Sequence, residues 1–325
     1  MTTLLTSTSS KVWRSCQREY EFRYLRGYRP AVDATALQFG TTIHKGLEVM
    51  WRAWQARRKD PLAEALGALD ARVMDGFEHA KAQVLLTGYF LRWKDEPLTI
   101  LDVEAQFETP LTSPTMGRHS GFMLAGKIDA IVEDKRDGLI KLVEHKTSSE
   151  SVEPGALYWK KLRLNAQVSA YFEGAKSLGL DASGMIYDVI KKPGQKPLQV
   201  NSRRSSPETA EAYRERVAEE VQGSLDEYFR RGTVVRLESE LNAALEDLYD
   251  TADEILRAEK LTRYPRNAGS CVRYGRECPY FSVCCGEASL DDESLFVRSD
   301  SIHPELSGPA KEEQQHAVNS SDTTT

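Results

Sequence analysis

Five cysteines are placed so that sharing a metal would draw the two ends of the chain together. Cys16 stands alone near the start, 254 residues pass without another, and then come Cys271, Cys278, Cys284 and Cys285. The second group reads CVRYGRECPYFSVC, that is Cys-x6-Cys-x5-Cys with Pro279 directly after a cysteine. Buried structural thiols would be scattered along apolar elements, and disulfides are uncommon in an intracellular chain. Three thiols in one loop plus a distant fourth therefore suggest four thiolates around one metal centre. Zinc and an iron–sulfur cluster both remain open at this point, although zinc sites favour paired Cys-x2–4-Cys knuckles. Spacing does not choose between Cys284 and Cys285.

The rest of the composition sets limits. The chain has 325 residues, 40% hydrophobic and 28% charged, enough for a buried core in one large domain or two modest ones. No apolar run of roughly 18 residues is present, so no membrane span is expected. Met1–Ser10 lacks the basic-then-apolar order of a secretory signal, which makes a cytoplasmic enzyme the default expectation. The net charge of −6 is concentrated at one end: residues 286–325 carry nine acidic side chains against Arg298 and Lys311. Residues 1–60 hold eleven basic and five acidic side chains, and residues 135–204 hold thirteen against seven. Such a body can hold a phosphate backbone, although scattered solvated Lys and Arg would give the same numbers.

Periodicity divides the chain into blocks. Helix is expected over about 8–28, 37–58 and 62–92, then β-like segments at 99–109, 121–133 and 139–147. Helix returns at about 164–178, a strand follows at 183–191, and two long amphipathic helices at 207–230 and 237–260. From Gly286 the chain is polar, acidic and poor in aromatics, the composition of a disordered tail. A small mixed sheet surrounded by helices is the architecture these blocks support.

One constellation carries chemistry. In LIKLVEHKT, alternation puts Ile140, Leu142, Glu144 and Lys146 on one face, so an apolar face ends in a carboxylate beside an ammonium. Upstream, GKIDAIV places Asp129 among apolar neighbours, and the turn at Asp134–Gly138 lets the two strands pair. Two carboxylates buried together are costly unless a cation shares them, and a hard ion such as Mg²⁺ or Mn²⁺ does so through oxygen ligands. The competing reading is a surface salt bridge on an edge strand, because Asp-x14-Glu-x-Lys is a loose pattern. FGTTIH places Gly40 and His44 at a helix start, where Gly40 allows close approach and His44 could be a third ligand. Gln167 and Tyr171 share one helical face just beyond the strands.

In this order, the motifs resemble the RecB-like branch of the PD-(D/E)XK nuclease superfamily, which includes iron–sulfur exonucleases of recombination complexes, CRISPR-associated relatives and phage-borne versions. The resemblance rests on Ser9 to Tyr20 around Cys16, Gly40 to His44, Gly126-Lys-Ile-Asp129, Glu144-His-Lys146, Gln167 to Tyr171, and Cys271, Cys278 and Cys284, spanning about residues 5–285. Each motif is short; their order and completeness are what is specific. Many relatives have Cys-x2-Cys in place of the six-residue gap here, and Gln17 stands where relatives often have Pro.

The resemblance implies a restriction-endonuclease-like α/β fold: a central mixed sheet flanked by helices, with an N-terminal helical region and C-terminal helices closed by a cysteine-ligated cluster. It implies a nuclease domain over 1–285 with a helical insertion at about 45–95, and a tail over 286–325. His44, Asp129, Glu144 and the His145 backbone carbonyl would bind Mg²⁺ or Mn²⁺. Lys146 would position the attacking water, and Gln167 and Tyr171 would contact DNA or the lysine. Cys16, Cys271, Cys278 and Cys284 would hold a 4Fe–4S cluster, with Zn²⁺ the alternative. DNA ends or single strands would be the substrate, in recombination, repair or phage DNA metabolism. There is no Gly-x4-Gly-Lys-(Ser/Thr) phosphate loop, so a helicase partner would be a separate chain. The rival from another class is a non-catalytic DNA-binding scaffold that keeps the fold and cluster.

Overall fold

The computed structural model describes residues 3–32, 35–72, 74–200, 206–273 and 275–306. Its strands are β1 (Thr3–Leu5), β2 (Tyr28–Pro30), β3 (Leu98–Thr112), β4 (His119–Asp134), β5 (Leu139–Ser148), β6 (Gly184–Lys191), β7 (Phe229–Val234), β8 (Val272–Arg273), β9 (Arg276–Glu277) and β10 (Phe296–Arg298). Its α-helices are α1 (Ser7–Ser15), α2 (Gln17–Tyr20), α3 (Thr35–Gln55), α4 (Pro61–Asp70), α5 (Gly76–Trp93), α6 (Leu157–Lys161), α7 (Ala166–Ser177), α8 (Ala210–Gly223), α9 (Leu225–Tyr228), α10 (Glu238–Leu261) and α11 (Phe281–Cys285). The central sheet is mixed and flanked by helices, and β3 pairs with β4. The chain divides into two compact units, Asp33–Ala105 with Ile128–Leu241, and Met1–Val32 with Gln106–Lys127 and Asn242–Thr325.

In the unit built from Asp33–Ala105 and Ile128–Leu241, β4 and β5 are antiparallel, β5 and β6 parallel, and β6 and β7 antiparallel. β6 reads GMIYDVIK and is buried from Gly184 to Ile190, as a parallel strand covered on both faces must be. Alternation gives the sheet two faces. Ala130, Val132, Val143, Ile186 and Ile190 lie on one, in a core with Phe39, Ile43, Leu47 and Met50 of α3 and Leu85, Leu86 and Tyr89 of α5. The α3 residues recur at helical spacing, which is why this helix lies along the sheet. The stretch expected to be an insertion at 45–95 is therefore part of this core. The other face carries Asp129, Leu142, Glu144, Lys146 and Tyr187.

The expected helix over 207–230 stops earlier. Ser224 leaves helical geometry after Gly223, and β7 begins at Phe229. Gly232 in β7 lies against Trp159, where a Cβ would meet the indole at 2.6 Å. A side chain there would have to displace the indole, so the glycine admits the strand.

In the other unit, Thr6 and Ser9 form a reciprocal cap at the start of α1, and β1 runs parallel to β4 at Phe122–Leu124. The expected helix over 8–28 is three shorter pieces: α1, α2 and a π-helical turn at Glu21–Leu25. Trp13 Nε1 donates to Glu254 and Arg14 Nε to Thr251, which fixes α1 against α10. The segment from Gly286 is not wholly a tail. β10 pairs antiparallel with β2, and Leu290 and Phe296 are buried with Phe22 and Tyr280. Two apolar residues in a polar stretch are enough to anchor it, which composition averaged over forty residues conceals. Residues 307–325 of that expected tail lie outside the described residues. No helix among the described residues is long and apolar enough to cross a membrane.

Candidate active site

The β4–β5 ladder ends at the pair Ala130↔Val143. One step further along the same register, Asp129 stands opposite Glu144, on the same face of the sheet. At that step a side chain replaces the ladder: the His145 N–H donates to Asp129 Oδ2 at 2.7 Å. His44, from α3, brings Nδ1 to 3.8 Å from the same oxygen. Gly40, one turn earlier, is not required for clearance, since a Cβ there would meet Thr147 Oγ1 at an ordinary 3.6 Å.

Glu144 is 2% exposed, and Lys146 Nζ pairs with its Oε1. Its second oxygen, Oε2, is buried without a hydrogen-bond partner. Burial raises the Glu144 carboxyl above its ordinary range; Lys146 opposes this and Asp129 adds to it. Burial works to lower Lys146, but Glu144 and Asp129 beside it prevail and raise it, so the amine stays an ammonium. The Lys146 side chain is 31% exposed, so the cation still reaches solvent.

α7 begins at Ala166 with Asn165 as its cap, whose side chain accepts the Gln167 N–H. Gln167 Nε2 donates to the Tyr171 hydroxyl at 2.9 Å, as the i, i+4 spacing allows. Burial, with Glu144 and Asp129 nearby, holds the Tyr171 hydroxyl well above the ordinary phenol range, so it keeps its proton. Tyr187 and Tyr158, which pattern reasoning missed, join this face. Tyr187 lies opposite Glu144 in the parallel register, and its hydroxyl is hydrogen-bonded to that of Tyr158. The signal was the adjacent Tyr187-Asp188 inside an otherwise apolar strand.

Asp188 faces the opposite way, where Tyr89 donates to its Oδ2 at 2.6 Å, Arg231 Nη2 donates at 3.0 Å, and His145 Nδ1 lies at 3.2 Å. His145 thus has its ring tied to Asp188 on one face and its N–H tied to Asp129 toward the other.

Do these residues suit a divalent cation? Among the described residues, no three His, Cys, Asp or Glu side chains are grouped closely enough to form a ready-made metal site. The donor chemistry nevertheless fits a hard ion: Asp129 and Glu144 are opposite in register, His44 is adjacent, and Glu144 Oε2 is a buried acceptor lacking a partner.

The cysteines form a second cluster. Cys16 sits between α1 and α2 and is 9% exposed. Burial pushes the Cys278 thiol up to about 11, with Cys16 and Cys284 contributing; burial also raises Cys284, with Cys16 and Cys271 contributing. Cys16 and Cys284, 268 residues apart, are thus brought within electrostatic reach of one another. Cys284 is half-buried in this group, whereas Cys285 is exposed. Among the described residues, no three thiols are grouped closely enough to be ready-made ligands.

A family model describing the PD-(D/E)XK nuclease superfamily matches residues 5–285. Among solved structures, the chain is similar to a provisionally named exonuclease from Eubacterium rectale, with a TM-score of 0.48 and 11% identity over 94% of each chain. It is also similar to SSO0001, with a TM-score of 0.31 and 12% identity over 76% of this chain and 86% of that one. No curated protein matches the chain.

Proposed function

Because this chain belongs to the PD-(D/E)XK nuclease superfamily, we propose that it is a Mg²⁺- or Mn²⁺-dependent deoxyribonuclease acting as an exonuclease on DNA ends or single strands. The observation that carries the reading is the placement of Asp129 opposite Glu144 at the open end of the β4–β5 ladder, with Lys146 on Glu144.

Asp129 and Glu144, with His44 and the His145 carbonyl, would hold the ion. When bound, it would make water a better nucleophile and draw charge from the phosphoryl oxygens. The protein's own groups do the rest. The His145 N–H fixes the rotamer of Asp129. Lys146, kept protonated by its two carboxylate neighbours, orients the attacking water and opposes charge developing on the phosphoryl group. Tyr171 retains its proton and is held by Gln167, so the pair can donate hydrogen bonds to a DNA phosphate.

Degradation of end-labelled DNA with Mg²⁺ or Mn²⁺ tests the proposal, comparing wild type with Lys146→Ala. A loss of roughly a hundredfold or more is expected. Equal activity in both would indict a contaminant and favour a DNA-binding scaffold instead.

The proposal extends to the cysteines. Cys16, Cys271, Cys278 and Cys284 are read as ligands of a 4Fe–4S cluster, with Zn²⁺ the alternative; their convergence from distant parts of the chain supports this. The cluster would clamp the N-terminal helix to the C-terminal loop. The enzyme would act in the cytoplasm, in recombination, repair or phage DNA metabolism, with any helicase supplied by a separate chain.

A further inference from the structure

Beyond the catalytic face, the unit that carries β5 and β6 holds a cavity of about 280 Å³ beside the C-terminal ends of α3 and α5. Its lining combines aromatic and cationic side chains. Trp51, Trp54 and Trp93 line it, with Trp54 the most exposed of the three, and Arg57, Lys94 and Lys135 stand with Glu96 and the Asp188-paired Arg231 around it. We propose that this cavity binds one nucleotide unit, a planar base stacked on tryptophan with its phosphate held by the surrounding cations.

The aromatic wall is organised for stacking. The Arg231 guanidinium lies 4.0 Å from the centre of the Trp93 ring and 5.8 Å from that of Trp51. Trp54 stacks against both Tyr89 and Phe90 but is only half-buried, and its remaining exposed indole surface is open to a base. Stacking on an aromatic side chain with a guanidinium alongside is how proteins take unpaired bases without reading sequence.

The same wall has polar groups to spare. Trp93 Nε1 and Arg231 Nε and Nη1 are buried and lack hydrogen-bond partners, and Glu96 Oε2 lies 4.0 Å from Nη1. Size and charge narrow the choice: the volume is near the lower end for small-molecule pockets, and although Arg231 is paired with Asp188, Arg57, Lys94 and Lys135 outnumber Glu96 and favour an anion.

Arg57 adds an independent sign. It sits just past the end of α3 with φ of +53°, where glycine is the inexpensive residue, yet it presents a cationic side chain to the cavity. Arg57→Gly therefore removes the charge while relaxing the backbone.

The inference goes beyond the catalytic reading and does not depend on it, because binding can be measured in EDTA, where metal-dependent hydrolysis cannot run. Three of the protein's five tryptophans line the cavity, so intrinsic fluorescence reports on it. Titration with deoxyadenosine monophosphate should quench this fluorescence saturably. The Arg57→Gly/Lys135→Glu protein, with a wild-type melt, should bind at least about tenfold more weakly, the size expected for losing a charge-assisted contact. Competition by a single-stranded oligonucleotide would identify the unit as part of a DNA strand; failure to compete would identify it as a free nucleotide. Absence of saturable quenching, or unchanged affinity in the double variant, would overturn the proposal.

Discussion

Asp129 and His145 meet through a side chain at the point where the β4–β5 ladder stops: the His145 N–H that would serve a backbone carbonyl serves the Asp129 carboxylate, at 2.7 Å. The sheet thereby gives up a backbone pairing and gains a fixed carboxylate opposite Glu144. His145 also brings its ring Nδ1 to 3.2 Å from Asp188, so it links the catalytic face to a buried charged network on the other face.

That network yields the first prediction. Asp188 is 0% exposed and surrounded by Tyr89, Arg231 and His145. Burial works to raise its carboxyl, but Arg231 and His145 bring it down to about 2. Asp188→Asn should destabilise the protein by about 3 kcal/mol at neutral pH, because it removes the nearest counter-charge of the buried Arg231 cation and leaves it only Glu96 at 4.0 Å. A carboxylate with a depressed folded pKa contributes stability above its unfolded value near 4, and loses it as pH falls toward 2. Denaturant titrations should show a constant gap between wild type and variant above about pH 5, narrowing below about pH 4. A gap that widens in acid would contradict this account.

The second concerns the segment after the cysteine loop. Phe296 is 3% exposed and stacks on Tyr280 with ring centres 5.4 Å apart and planes 7° from parallel. Phe296→Ala should cost about 3–5 kcal/mol, measured as a lowered denaturation midpoint. A midpoint within error of wild type would mean that residues 286–306 do not pack in solution.

A third tests the cysteine proposal by removing ligands. Cys278→Ala should abolish the visible absorbance and bound iron of anaerobically purified protein, and lower its solubility and melting temperature. Colourless wild-type protein with stoichiometric zinc would establish the zinc alternative. A variant that loses iron but melts like wild type would refute the clamp.

Much of this was legible in the sequence for a specific reason. Glu144 and Lys146 follow Leu142 at strand period, and Asp129 precedes a turn that pairs its strand with theirs, so local pattern and register agree. Gln167 and Tyr171 needed only helical spacing. The Asp188–Arg231 pair was hidden because its members are 43 residues apart and meet through a strand that follows a helix with only Gly223 and Ser224 to mark its end. β1 is three residues long, too short for any period, and exists because β4 offers it an edge. Leu290 and Phe296 were lost in an acidic average, though the two bury themselves in a small aromatic cluster.

The direct test of the central claim is Mn²⁺ binding followed by electron paramagnetic resonance, with wild type compared against Asp129→Asn and Glu144→Gln. If the two carboxylates share a cation, wild type should take up Mn²⁺ and each folded variant should bind it roughly tenfold or more weakly. Unchanged affinity in both variants would contradict the account, whatever the cysteines hold.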